Sequence, residues 1–339
     1  MKTGPFEKSY YEQSEINVNP TCILLATYNG EKYIEEQILS IINQTYSNWR
    51  LIIRDDGSND RTMNIIKHYK KIDKRIDILK DDNDNIGSSL NFGILLQFAY
   101  EKDFEIFFFC DQDDLWSKDK LEIQLGQIAK LERISGKDVP IMVYSDLVVI
   151  DSNLNLIDKS FMHYQGLAKE DKRLTNLLLT QNIVTGCAIA INRKLASIAL
   201  PFPTDILMHD WWIALCCSLN GVVKFISKPL VFYRQHGENQ VGAKRLIDLI
   251  NPFKTSLIDR WKSGTDHFLG TTVQADHLLK RIEIHNIHCD EIKIDAIRSY
   301  SIIGSMTPLR RLLVAKNKQF YRQGYLRKLL LIARLLFMR

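Results

Sequence analysis

Three carboxylates fall within four positions at Asp111-Gln112-Asp113-Asp114, directly after the apolar run Ile106 to Cys110. Like charges so close repel one another unless a cation lies between them, and a divalent metal is the usual answer. Asp111 and Asp113 form a D-x-D pair at what reads as a strand end. Their oxygens are hard ligands, better suited to Mg²⁺ or Mn²⁺ than to zinc, and those metals keep coordination positions open for substrate phosphates. An acidic turn after a strand is the competing reading. Further polar groups recur after apolar runs: Tyr28-Asn29, Asp55-Asp56, Asp210 in Met208-His209-Asp210-Trp211-Trp212, and His236 in Arg234 to Gln240. His236 lies in a polar, Gly-containing turn, where a buried core histidine is unexpected. Asp146, inside Ile141 to Ile150, reads as a solvated strand residue or a substrate contact.

The elements that position these residues follow from periodicity. Strands are expected at Thr21 to Tyr28, Trp49 to Arg54, Ile76 to Leu79 and Glu105 to Cys110. Helices are expected at Glu31 to Gln44, Thr62 to Lys71 (capped by Ser58 or Asp60) and Ile86 to Tyr100. Alternating strands and helices argue for a parallel, doubly wound sheet, in which ligands sit beyond the carboxyl ends of the strands. Three of these strands end in polar or acidic turns, so the candidate residues converge. No G-x-G-x-x-G follows the first strand and no Walker G-x-x-x-x-G-K-[ST] occurs, which excludes both glycine-loop nucleotide sites. Further on, a helix is expected at Lys118 to Ile134, strands at Ile141 to Ile150 and Asn182 to Asn192, and a helix from Met208 to Leu219. Asp210 at that helix start also suits the helix dipole. Val222 to Tyr233 completes the apolar runs.

Over roughly Cys22 to Val241 the motifs resemble the family 2 glycosyltransferases. The matching pieces stand in the family's order: Ala26 to Gly30, Asp55 to Asp60, Asn85-x-Gly87 with Asn91, Asp111 to Asp114, and His209 to Trp212. Ala26 to Ser40 and Tyr233 to Gln240 are similar to the bacterial rhamnosyltransferase branch. The Q-x-x-R-W signature of processive synthases is absent. The resemblance implies an α/β GT-A fold, with a Rossmann-like, mainly parallel sheet flanked by helices. It implies nucleotide-sugar contacts from Thr27, Tyr28, Asn29, Asp55, Asp56, Asn85, Asn91, Asp111 and Gln112. Asp111, Asp113 and His236 would hold Mg²⁺ or Mn²⁺ on the diphosphate, and Asp210 would be the catalytic base of an inverting transfer. The donor implied is dTDP-β-L-rhamnose and the acceptor a lipid-linked or polysaccharide hydroxyl. The competing readings are another donor, such as a UDP-hexose or a galactofuranose, and a catalytically silent nucleotide-sugar-binding scaffold subunit.

The 339 residues are expected to divide into a loose extension (1–20), a GT-A domain (21–245) and a helical C-terminal region (246–339). Met1 to Pro20 is too polar for a signal peptide, and no run of about 18 apolar residues is present to span a bilayer. The six cysteines lie in apolar runs without metal-knuckle spacing, and read as reduced thiols in the cytosol. His267, His277, His285 and His288 lack zinc-ligand spacing. From Ala296 onward there are ten basic residues and no acidic one, although the whole chain carries only +5. In that tail Leu326, Leu329, Leu330, Ala333, Leu336 and Phe337 recur at helical spacing. A basic amphipathic helix suits an anionic membrane surface at the inner face of the cell membrane. A helix packed on the body, or on a second subunit of a homo-oligomer, is the competing reading. The leucine density exceeds what nucleic acid binding requires.

Overall fold

The computed structural model describes residues 21–81, 85–237 and 256–338. Its sheet begins with four parallel strands: β1 (Thr21–Thr27), β2 (Trp49–Asp55), β3 (Ile76–Leu79) and β4 (Ile106–Cys110), in the spatial order β3-β2-β1-β4. Helices α1 (Ile34–Ile42), α2 (Thr62–Ile72) and α3 (Ser88–Glu101) are the connections. Ile23 and Leu25 of β1 pack with α1 and α2 on one face, and Cys22, Leu24 and Ala26 pack with α3 on the other. Burial on both faces is why these strands are continuously apolar instead of alternating. β4 repeats the device, with Phe107 and Phe109 toward α3 and Ile106, Phe108 and Cys110 toward the opposite layer.

The sheet then changes direction. Beyond β4 lies β8 (Ile189–Asn192), antiparallel to both β4 and β6 (Ile141–Asp151). Next comes β9 (Val222–Gln235), parallel to β6, and last the short β5 (Leu115–Trp116), antiparallel to β9. β7 (Leu156–Asp158) pairs with β6 off this path. The parallel, doubly wound arrangement read from the alternating elements is that of the first half, and the antiparallel pairs of the second half complete the mixed α/β sheet. The strand expected over Asn182 to Asn192 is also reduced to β8. Gly186–Ala188 forms a 3-10 turn, and the Asn182 side chain accepts from the Val184 N–H at 3.0 Å, a local turn that competes with strand pairing. An apolar run alone could not separate the two.

The remaining helices of the body are α4 (Lys120–Ser135), α5 (Phe161–Gln165), α6 (Leu174–Thr180), α7 (Arg193–Ala199) and α8 (His209–Asn220). Asp146 is neither solvated nor in the cavity described below. It is buried on β6 and accepts from Ser160 Oγ at 2.5 Å and Met162 N at 3.1 Å, fixing the start of α5. Asp60 is the polar group at the start of α2, accepting from Thr62 N at 2.9 Å, while Ser58 is turned toward the loop after β1.

The C-terminal helices are α9 (Leu257–Ile284), α10 (Glu291–Ser301), α11 (Pro308–Asn317) and α12 (Tyr325–Phe337). Phe268, Leu278, Ile297 and Tyr300 from this region belong to the same core as α6 and α8. Lys293 Nζ donates to the carbonyls of Ser218 and Leu219, at 3.0 and 2.9 Å, meeting two of the carbonyls that the end of α8 leaves open. The expected boundary at 245 and the expected extension 1–20 both lie outside the described residues. Among those residues no helix is long and apolar enough to cross a membrane. All six cysteines are free and buried.

Candidate active site

The carboxyl ends of β1, β2 and β4 open onto a cavity of about 440 Å³, closed on the far side by α5, the 182–186 segment and the start of α8. Gln112 ties the β4 end to the β1 end. Its Oε1 accepts from Thr27 Oγ1 at 2.5 Å and from Tyr28 N at 2.9 Å, and its Nε2 donates to Tyr28 O at 3.0 Å. Gly30 is needed here because a Cβ at that position would overlap the Gln112 amide. On the β2 side Asp56 uses both carboxylate oxygens structurally. Oδ1 accepts from Arg54 and Ile86 N at 2.8 and 3.0 Å, and Oδ2 from Gly87 N at 2.8 Å. Asp56 therefore borders the cavity chiefly as the anchor of the 85–87 turn, where Asn85 and Gly87 both take positive φ.

Asn29 and Asp55 do not line the cavity. Asn29 N donates to Ser58 Oγ at 2.7 Å and its Oδ1 accepts from Asn59 N at 3.0 Å; Asp55 accepts from Ser58 N at 2.8 Å and from Ser58 Oγ at 2.5 Å. These two residues brace the loops that carry Thr27, Tyr28 and Asp56. Short polar side chains at strand ends serve turns as readily as ligands, so residue type alone could not distinguish the two uses.

The floor is acidic. Asp111 and Asp113 line the cavity, and Asp114 is fully buried behind them. Burial, and then the neighbouring Asp114, Asp113 and Asp210, push the Asp111 carboxyl well above the usual carboxylate range. Burial and Asp113 push Asp114 up to about 7, although its Oδ1 accepts from Arg234 N at 3.0 Å. Asp114 Oδ2 is buried without an N–H or O–H donor, and the Cys187 thiol is the weak donor beside the carboxyl. A carboxylate pair on the cavity surface with an incompletely satisfied acid beneath it fits a divalent cation, because negative charge exceeds the local supply of donors. His236 does not line the cavity. Its ring is buried against Tyr33, 4.8 Å between centroids, with Nε2 2.8 Å from Asp113 Oδ2. It thus stands behind Asp113 instead of lying in a solvated turn. A turn of that composition gave no signal of this burial, which comes from β9 running on to Gln235.

Arg234 secures that arrangement, with no role evident from its position in the sequence. It is fully buried, donates through Nε to Asp113 O at 2.9 Å, pairs with Glu36 and lies 4.5 Å from the centroid of the Tyr33 ring. On the opposite wall Asp210 sits in the first turn of α8, 5% exposed. Its Oδ1 accepts from Trp211 N at 2.6 Å and from Asn182 Nδ2 at 3.2 Å, and Gly186 N also donates to the carboxylate. Burial outweighs these bonds and raises its pKa to about 6. Asp210 is therefore mostly ionised at neutral pH while held in a desolvated pocket. His209 beside it is kept neutral by burial, its pKa lowered to about 3, with the ring 4.0 Å from that of Phe92. Gly186 makes room for that ring, since a Cβ there would lie 2.5 Å from His209 Nε2.

A carboxylate floor at parallel strand ends, faced by a buried carboxylate at a helix start, agrees with what sequence comparison finds. The family model described as glycosyl transferase family 2 matches residues 22–196. The chain belongs to that family. This glycosyltransferase is 30% identical over 233 residues to the dTDP-rhamnosyl transferase RfbG of Shigella flexneri, covering 65% of this chain and 74% of that one. It is 37% identical over 103 residues to the putative teichuronic acid biosynthesis glycosyltransferase TuaG of Bacillus subtilis, covering 30% of this chain and 39% of that one. Its fold is similar to the crystal structure of S. aureus TarS 1-349, with a TM-score of 0.56 at 17% identity over 89% of this chain and 74% of that chain. The mixed sheet with flanking helices is of the GT-A type.

Thr27, Tyr28, Asp56, Asn85, Asn91, Asp111, Gln112, Asp113 and Asp210 all line this same cavity. Sequence reasoning passed over Asn182, which reaches Asp210, and Gln165 and Leu167, which form the rim beyond α5. Only the turn-forming character of Asn182 was available as a signal, and placing it in a strand concealed it.

Proposed function

We propose that this glycosyltransferase moves L-rhamnose from dTDP-β-L-rhamnose to a hydroxyl of a lipid-linked or polysaccharide acceptor in cell-surface glycan synthesis, with inversion. The observation that carries the mechanism is the shared cavity, with Asp111 and Asp113 on its floor and Asp210 on its opposite wall. The likeness to a dTDP-rhamnosyl transferase supports the donor. Thr27 and Tyr28 would hold the nucleoside, with Gln112 fixing their loop and the turn anchored by Asp56 closing the edge. Asp111 and Asp113, with His236 behind Asp113, would hold Mg²⁺ or Mn²⁺, which offsets charge on the departing diphosphate. The Asp210 carboxylate would take the acceptor hydroxyl proton as that oxygen bonds to the anomeric carbon. The bond from this carbon to the diphosphate oxygen breaks, dTDP leaves, and one displacement turns the β donor into an α linkage. Desolvation suits Asp210 to this task, since raising its proton affinity makes it a stronger base. A peripheral position at the inner face of the cell membrane would bring a lipid-linked acceptor to the cavity.

The test is donor turnover by purified protein with a panel of dTDP-, UDP- and GDP-sugars, with Mg²⁺ or Mn²⁺ and then with EDTA, on a rhamnosyl acceptor. Expected is metal-dependent transfer from dTDP-rhamnose, reduced by about 10²-fold or more in Asp210→Asn. Transfer from a different donor alone would discard the sugar assignment. Undiminished turnover in Asp210→Asn would remove that residue from the mechanism.

A further inference from the structure

The tail helix leaves one of its apolar stripes turned away from the body. None of Leu326, Leu329, Leu330, Ala333, Leu336 and Phe337 is buried, and Phe337 is 69% exposed. The face of α12 that meets the body carries Leu331, Arg334, Leu335 and Met338 instead. Arg334 is buried there, 5.2 Å from the centroid of the Trp261 ring. Arg327 also turns inward and donates to Gln165 O at 2.7 Å. Leu331, Leu335 and Met338 seal the inner face together with Arg334, and a second group of apolar side chains, Leu329, Leu330 and Phe337, is left exposed, more than an ordinary amphipathic surface helix leaves in solvent. On α11, Leu309 and Leu313 lie one turn apart and are 74% and 60% exposed. Exposed apolar side chains grouped this way mark a contact surface.

We propose that the outward face of α12, assisted by Leu309 and Leu313 of α11, docks on an anionic lipid bilayer. The charge pattern favours that occupant. Arg310, Lys316 and Lys328 are exposed on these two helices, and no acidic residue occurs from Ala296 to the end of the chain. A second copy of the chain would bring the same basic groups against each other, whereas acidic headgroups neutralise them and acyl chains cover the leucines. The docking helix also starts at the rim of the cavity. Gln323 exchanges two hydrogen bonds with Ala168, at 2.9 and 2.7 Å, and Arg327 holds Gln165, which lines the cavity. A docked protein thereby brings the Gln165–Ala168 rim toward the lipid surface, a consequence that rests on the lipid-linked acceptor proposed above; the docking itself does not.

The experiment is cosedimentation of the full chain with vesicles of phosphatidylglycerol and phosphatidylcholine, or of phosphatidylcholine alone. The wild-type protein should sediment with the anionic vesicles and lose this binding as salt is raised. Leu329→Glu with Phe337→Glu should reduce the partition by about ten-fold or more with the thermal melt unchanged, both side chains being outward. Arg310→Glu with Lys316→Glu should weaken binding to anionic vesicles while leaving the melt intact. Wild-type protein remaining in the supernatant would overturn the proposal, as would full binding by Leu329→Glu/Phe337→Glu. A wild-type dimer that this variant converts to monomer, without vesicle binding, would assign the face to a second copy. Vesicle binding is read without donor or acceptor, so failure of the rhamnosyl reading leaves this result standing.

Discussion

Asp210 is held in a desolvated state that works against the fold and that the proposed proton transfer would use. Its carboxyl has a pKa of about 6, above the usual 3.8, because burial disfavours the charge more than three N–H donors restore it. A carboxyl with a raised native pKa stabilises the fold fully below the unfolded value, and that contribution is lost as pH rises through about 6. Asp210→Asn removes the buried charge with little change of shape, and one oxygen remains to accept from Trp211 N. The variant is therefore expected to lose transfer yet to be more stable at pH 7.5, by roughly 1–3 kcal/mol. The gain should shrink as pH falls below 6 and vanish only below about pH 3, where Asp210 is protonated in both states. Chemical denaturation at the two ends of that range measures this, and an equal or opposite effect at both would show that burial does not control the group.

At the scale of elements, strand ends and loops are joined by buried polar residues that the chain's periodicity does not announce. Arg54 closes β2 and is 1% exposed, with bonds to Asp56 at 2.8 Å and to Asp81 at 2.7 and 3.0 Å. Replacing it by methionine keeps the stem but strands Asp56 in the interior. The expected cost is roughly 3–5 kcal/mol, read as a lower denaturation midpoint. Donor binding should weaken as well, since Asp56 holds the 85–87 turn at the cavity edge. Strands β1 to β4 and their helices were legible because runs buried on both faces differ in kind from the amphipathic segments between them. The acidic turn at Asp111 to Asp114 and the position of Asp210 at a helix start were legible for the same local reasons. Asn29 and Asp55 were not separable from cavity residues, because the bonds that occupy them come from Ser58 and Asn59, whose placement depends on the folded loop. Asn182 escaped because an Asx turn before Gly186 interrupts what reads as one apolar strand. His236 and Asp146 changed environment for a tertiary reason: each is enclosed by an element distant in sequence, Tyr33 in one case and the start of α5 in the other.

Across the whole molecule, the cavity floor couples folding to protons, and with the proposed metal it would couple folding to cations as well. Asp111 is raised well above the usual range, Asp114 to about 7 and Asp210 to about 6, all first by burial. Each of these groups binds protons more tightly in the native state than in the unfolded chain. For Asp114 and Asp210 that stabilising contribution is present in acid and is lost as pH rises through about 7 and about 6, so their ionised forms work against the fold. A divalent cation held at Asp111 and Asp113, as proposed, would relieve that repulsion, and at 100 times its dissociation constant it would add about 2.7 kcal/mol. Mn²⁺ or Mg²⁺ is therefore expected to raise the melting temperature by several degrees at pH 8 and by less at pH 5.5, where protons compete for the Asp111 carboxylate. Asp113→Asn should lower the apparent affinity for the cation at pH 8, because it removes one anionic ligand from the cavity surface. Scanning calorimetry without donor sugar reads this apart from catalysis. If the cation gave no shift at either pH, or an equal shift in Asp113→Asn, the acidic floor would serve the fold or the nucleotide and not a metal.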